Sequence, residues 1–176
     1  MRTVVETPDG PLPFQHYFVR DHCEPIVTGF RFDGIDNALP CPAFLAELAD
    51  SELAAVIICP SNPFISVDPI LNLSGIRNAL RVCAAPVIAV SPIIAGAAVK
   101  GPTAKMMQEL GLPLTASAVA RYYGDLLDGF VLDERDSADA ADLPIPVCVT
   151  KTLMTTLQDR ENLARDVLEF AADLAR

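Results

Sequence analysis

Short apolar runs alternate with amphipathic stretches along most of this chain. The runs are AAVIIC at residues 54–59, PVIAV at 86–90, GFVLD at 129–133 and IPVCVT at 145–150. Each is continuous, without polar residues at every second position, which is the pattern of strands covered on both faces. Helical spacing is predicted over residues 69–81, 102–110 and 116–127. The final segment, DRENLARDVLEFAADLAR, places Leu163, Val167, Phe170 and Leu174 on one helix face. Alternating strands and helices predict an open, doubly wound, mostly parallel, Rossmann-like α/β sheet. Residues 1–50 fit this rhythm less well. TPDG at 7–10 is a turn signal, LPFQHYFVR reads as a short helix, and ALPCPAFLAELAD holds a helix ending near Asp50. The organisation expected is one α/β domain over residues 1–176, with 1–50 as an irregular lead-in rich in helix and turn.

Composition narrows the function classes. A chain of 176 residues suits a single domain that buries roughly 70% of its unfolded surface. Its net charge of −10 and the scatter of its 13 basic residues argue against a nucleic-acid surface, so a phosphorylated ligand must be met at one point. Five cysteines, Cys23, Cys41, Cys59, Cys83 and Cys148, show no CxxC spacing and read as buried, reduced thiols. MRTVVETPDG has no apolar secretory core. The apolar stretch 82–99 is interrupted by two prolines, a glycine and a serine, which makes it a poor membrane span. The location expected is cytoplasmic, away from membranes.

Ligands of open α/β sheets collect outside the carboxyl ends of the strands, and there this chain is unusual. After the first run comes CPSNPFISVDPIL, where prolines stiffen the backbone and leave Ser61, Asn62 and Ser66 as polar groups. Asp68-Pro69 then reads as an N-cap and N1 pair. An ordinary proline-stiffened turn explains the same residues. After the second run, Ser91-Pro92 leads through the small-residue loop IIAGAAV to Lys100-Gly101-Pro102, a cation just before a helix and a plausible anion site. A solvated lysine is the alternative. The third run ends at Asp133, a carboxylate able to hold Mg²⁺ or a sugar hydroxyl, or simply part of a charged turn. His16 and His22 lack further ligands at zinc spacing, and Ser61 lacks a nucleophile-elbow setting. Tyr122 and Tyr123, adjacent on a helix, must face different ways, one into the core.

Taken together, CPSNPFISVDPIL, SPIIAGAAVKGPTAKMMQELGL, VARYYGDLLDGFVLD and KTLM followed by NLARDVLEFA resemble the 2-phospho-L-lactate transferase family, over about residues 12–170. The resemblance implies transfer of a phospholactyl or phosphoenolpyruvyl group from a diphosphoguanosine donor to the hydroxyl of a deazaflavin. The products would be GMP and a precursor of the redox coenzyme factor 420, with Mg²⁺ as cofactor and a homodimer as the assembly. It further implies that Ser61, Asn62 and Pro63, with Ser66 in the same loop, hold the nucleotide, while Ser91, Gly96, Lys100 and Gly101 lie near the reacting phosphates. Ala95, Ser117 and Lys151 depart from the family's usual Gly, Gly and Asp. Nothing in residues 1–60 reproduces the glycine-rich amino-terminal half of the family, which is expected to pack on this chain and to carry the metal and deazaflavin ligands. Two other readings are a non-catalytic nucleotide-sugar-binding regulator of the same superfamily and an inert remnant. The functional readings share one requirement, that Asn62 and Lys100 line a common cavity.

Overall fold

A computed structural model describes residues 1–174. The first fifty residues are more regular than their sequence suggests. β1 (Arg2–Glu6), β2 (Leu12–Pro13) and β3 (Gly29–Asp33) form an antiparallel sheet in the order β2-β1-β3. The TPDG turn is present, with the Gly10 amide bonded to the Thr7 carbonyl at 3.0 Å. LPFQHYFVR is split between β2 and a single π-helical turn, His16–Arg20. The strands escape a pattern-based reading because they are short and only half-buried: Val5 packs into the core while Arg31 and Asp33 pair on the surface. Helix α1 (Pro42–Leu48) follows, with proline in its first turn.

The second sheet contains the four expected strands, β4 (Val56–Ile58), β5 (Val87–Val90), β8 (Gly129–Asp133) and β9 (Val147–Thr150), all parallel and in chain order. Strand β5 and strand β8 are buried throughout, whereas the edge strands β4 and β9 are half-exposed. The connections hold α2 (Asp68–Leu71), α3 (Ile76–Val82), a small hairpin of β6 (Ile93–Ile94) and β7 (Ala97–Ala98), α4 (Thr103–Glu109) and α5 (Ala116–Tyr123). The helix expected over 69–81 is broken at Gly75, whose φ of 85° is left-handed. The small-residue loop is the hairpin β6–β7, and its tip carries Ala95 at φ 50° and Gly96 at φ 69°. Two consecutive positive φ values define a tight primed turn, so the methyl of Ala95 is strained by about 1–2 kcal/mol where glycine would not be.

Because the strand order never reverses, right-handed crossovers put every connecting helix on one face of the sheet. There Val87, Ala89, Phe130 and Leu132 pack with Ile76, Leu80, Met106, Met107 and Val119, together with Val5 and Tyr17 of the amino-terminal part. The opposite face, Ile88, Val90 and Val131, is covered by the last helix, α6 (Leu157–Leu174), through Leu163, Val167 and Ala171. The approach is close: a Cβ at Gly129 would lie 2.7 Å from both Phe170 and Leu174. The cysteines are free but less buried than expected. Cys41 and Cys59 are exposed and the other three are intermediate, Cys59 because it has already left edge strand β4. Among the described residues no helix is long and apolar enough to cross a membrane.

If α6 alone holds the second core, Leu163→Ala should lower the free energy of unfolding by about 2–5 kcal/mol. Leu168→Ala, on the exposed face of the same helix, should change it by less than about 0.5 kcal/mol. Urea denaturation of both variants measures the difference.

Candidate functional site

The carboxyl ends of β4, β5 and β9 open onto one cavity of about 640 Å³. Its wall contains Ser61, Asn62 and Ser66 from the β4 loop, Ser91 from the end of β5, Lys100 and Gly101 from the segment before α4, and Thr152 and Arg160 from the β9–α6 connection. Asn62 and Lys100 therefore share a cavity. Pro63 lies buried beneath the loop, and Gly96 sits at the hairpin tip; neither is part of the wall.

The polar groups on this wall divide into those committed to the fold and those free. Asn62 belongs to the first kind. Its Oδ1 accepts from the amides of Phe64 (2.9 Å) and Ile65 (3.2 Å), capping the π-helical turn Pro63–Val67, and its Nδ2 contacts Met106 Sδ at 3.2 Å. The Ser91 hydroxyl is likewise engaged in its own turn, donating to the Ile93 carbonyl at 3.0 Å and accepting from the Ile93 amide at 3.1 Å. These two residues fix the shape of the wall. Ser61, Ser66, Lys100 and Arg160 carry no side-chain hydrogen bond or ion pair to any described residue. Most of the other basic side chains sit 2.5–3.8 Å from a carboxylate. Two unneutralised cations facing one cavity are notable in a chain of net charge −10.

The rest of the wall is apolar. The rings of Phe14 and Phe18 are tilted against each other with centroids 5.4 Å apart, and Phe18, Val99 and Met154 are 41%, 51% and 40% exposed. Both π-helical turns among the described residues, His16–Arg20 and Pro63–Val67, contribute to the wall, through Phe18 and through Ile65 and Ser66. Such turns recur at functional sites because the wider ring re-aims side chains. The cavity thus suits a ligand with a flat apolar part and an anionic part.

Asp133 and Asp68 have work different from that read from sequence. Asp133 is 1% exposed at the end of β8. It accepts from the Thr152 amide (2.9 Å), the Thr152 hydroxyl (3.1 Å) and the Arg135 amide (3.2 Å). Burial pushes its pKa up, but these bonds to the charged form outweigh it, and the carboxyl titrates below its usual value. Its oxygens are committed to the β9–α6 connection, and among the described residues no group of three or more His, Cys, Asp or Glu side chains is placed to hold a metal. Asp133 therefore does not fit Mg²⁺. Asp68 is not a helix cap, because the π-helical turn runs straight into α2. Its carboxylate accepts the Tyr122 hydroxyl and faces Arg77 at 3.5 Å, outside the cavity, and burial raises its pKa against both partners. Tyr123 is the core tyrosine; Tyr122 lies edge-on to Phe64 at 5.0 Å.

Sequence reasoning did not single out Thr152, Arg160, Phe14 or Phe18. The only advance signal was that KTLM and FQHYF belonged to segments carrying the family resemblance. The Asp133 linkage gives a test. A lowered folded-state pKa contributes stability that is complete above the unfolded value near 3.9 and is lost as pH falls through the lower folded value. Between pH 5 and pH 2, Asp133→Asn should therefore lose less stability than the parent chain, as measured by urea titrations at each pH.

Comparison with known proteins agrees with this architecture. The family model described as "2-phospho-L-lactate transferase CofD" matches residues 1–143. Relatives named 2-phospho-L-lactate transferase include those of Methanosarcina barkeri, 40% identical over 169 residues, and Methanococcoides burtonii, 36% identical over 177. These alignments cover 94% and 99% of this chain but 53% and 56% of the relatives. A protein of Kitasatospora aureofaciens named phosphoenolpyruvate transferase is 36% identical over 162 residues, covering 90% of this chain and 50% of its own. The chain spans about half the length of the curated relatives it matches. On the strength of this match, the chain belongs to the 2-phospho-L-lactate transferase CofD family.

Proposed function

We propose that this chain forms the nucleotide-facing wall of a transferase cleft. The reaction passes a phospholactyl or phosphoenolpyruvyl group from a diphosphoguanosine donor to the hydroxyl of a deazaflavin, 7,8-didemethyl-8-hydroxy-5-deazariboflavin, in factor 420 synthesis. The acceptor oxygen forms a bond to the phosphorus carrying the lactyl or enolpyruvyl group, and the bond from that phosphorus to GMP breaks. The observation carrying this reading is the convergence of an unpaired Lys100 with the free hydroxyls of Ser61 and Ser66 in one partly apolar cavity. Negative charge grows on the departing GMP phosphate, and a fixed cation there stabilises the transition state more than the ground state.

Among the described residues, the wall holds no carboxylate and no imidazole. This chain's part is therefore to bind, orient and neutralise, while proton removal from the acceptor falls to groups beyond this wall. In the same reading, the remainder of the family's length packs against this chain and brings the Mg²⁺ and deazaflavin contacts.

Calorimetric titration tests the reading. GDP should bind more tightly than a uridine diphosphate sugar, and Lys100→Ala should weaken GDP roughly ten- to hundredfold, the range for a charge-assisted contact. Preference for the uridine sugar would instead identify a nucleotide-sugar-binding regulator.

A further inference from the structure

Arg160 lies in the first turn of α6 and lines the same cavity as the loops that the sequence pointed to. Its neighbour Asp159 would be the natural counter-ion, yet that carboxylate is saturated. Asp159 Oδ1 holds Lys151 Nζ at 2.8 Å. Its Oδ2 accepts from the amide and hydroxyl of Thr155 (3.0 and 2.8 Å) and of Thr156 (2.8 and 2.9 Å). These bonds hold the Asp159 carboxyl far below its usual pKa. They also close the turn that precedes α6, while buried Asp133 fastens the start of the same connection through Thr152. The base of Arg160 is thus fixed from both ends, and its guanidinium is left without a partner among the described residues.

An arginine kept clear of abundant carboxylates and aimed at a cavity is arranged for an external anion. A guanidinium presents a planar fork suited to two oxygens of one phosphate, whereas an ammonium acts as a point charge. We propose that Arg160 is a second anion-binding residue of the cleft, lining the same cavity as Lys100, so that a diphosphate is held by the segment before α4 together with the first turn of α6. The proposal rests on the nucleotide reading above. It adds that the β9–α6 connection, not only the β4 and β5 loops, sets where the phosphates lie.

Inorganic pyrophosphate and GDP serve as separate probes of the chain, with binding measured calorimetrically across a salt series. Arg160→Gln should weaken both roughly ten- to hundredfold and flatten the salt dependence of binding. Arg160→Lys should recover part of the loss, and the melting temperature of the unliganded chain should not change, since the side chain is exposed. Arg160-dependent binding of pyrophosphate without tighter binding of GDP would uphold Arg160 and overturn the guanosine reading. Wild-type affinity in Arg160→Gln alongside weakened binding in Lys100→Ala would overturn Arg160 alone. Failure of the parent chain to bind either probe would overturn both.

Discussion

Four parallel strands laid side by side in chain order impose a division of labour on everything else in this molecule. All crossovers fall on one face, so the second face depends on a single helix entering after the last strand. That helix must lie close, and Gly129 is bare of a side chain where Phe170 and Leu174 press against β8. It must also start at a defined point, which Asp133 and Asp159 secure by fastening the two ends of the β9–α6 connection. The device that completes the core therefore also places Thr152, Met154 and Arg160 at the cavity.

The cavity is economical in polar groups. Asn62 and Ser91 use their hydrogen-bonding capacity to hold backbone, and Asp133 uses a buried charge for the same purpose. What is left for a ligand is a short set of free hydroxyls and two cations beside exposed aromatic and aliphatic side chains. In an acidic protein this arrangement concentrates attraction for an anion locally, because among the described residues the wall of the cavity holds no carboxylate.

Much of the parallel sheet was legible because β5 and β8 are buried on both faces and must be continuously apolar. Strands β1 to β3 were not, since pairs such as Val4 with Arg31 show the mixed polarity of a half-covered sheet, which reads as loop or helix in a short window. At the cavity, the strand-end rule pointed to Ser61, Ser66 and Lys100, which line it. It pointed to Asn62 and Ser91 too, but could not tell a residue whose hydrogen bonds hold the wall from one left free, because that distinction depends on where each hydrogen bond ends. Arg160 stayed hidden inside an amphipathic helix, where an exposed arginine is the ordinary occupant. Only the saturation of Asp159 by Lys151, Thr155 and Thr156 sets it apart.

Among the described residues, β4 has a neighbour on one side only. A rim of Val56, Ile57 and Ile58 bears no lysine or proline of its own to discourage pairing. A polypeptide that laid a strand along this rim would lengthen the sheet and crowd the Ser61 side of the cavity in the same movement. Assembly and ligand capture would then be thermodynamically linked, each changing the affinity of the other by an equal factor.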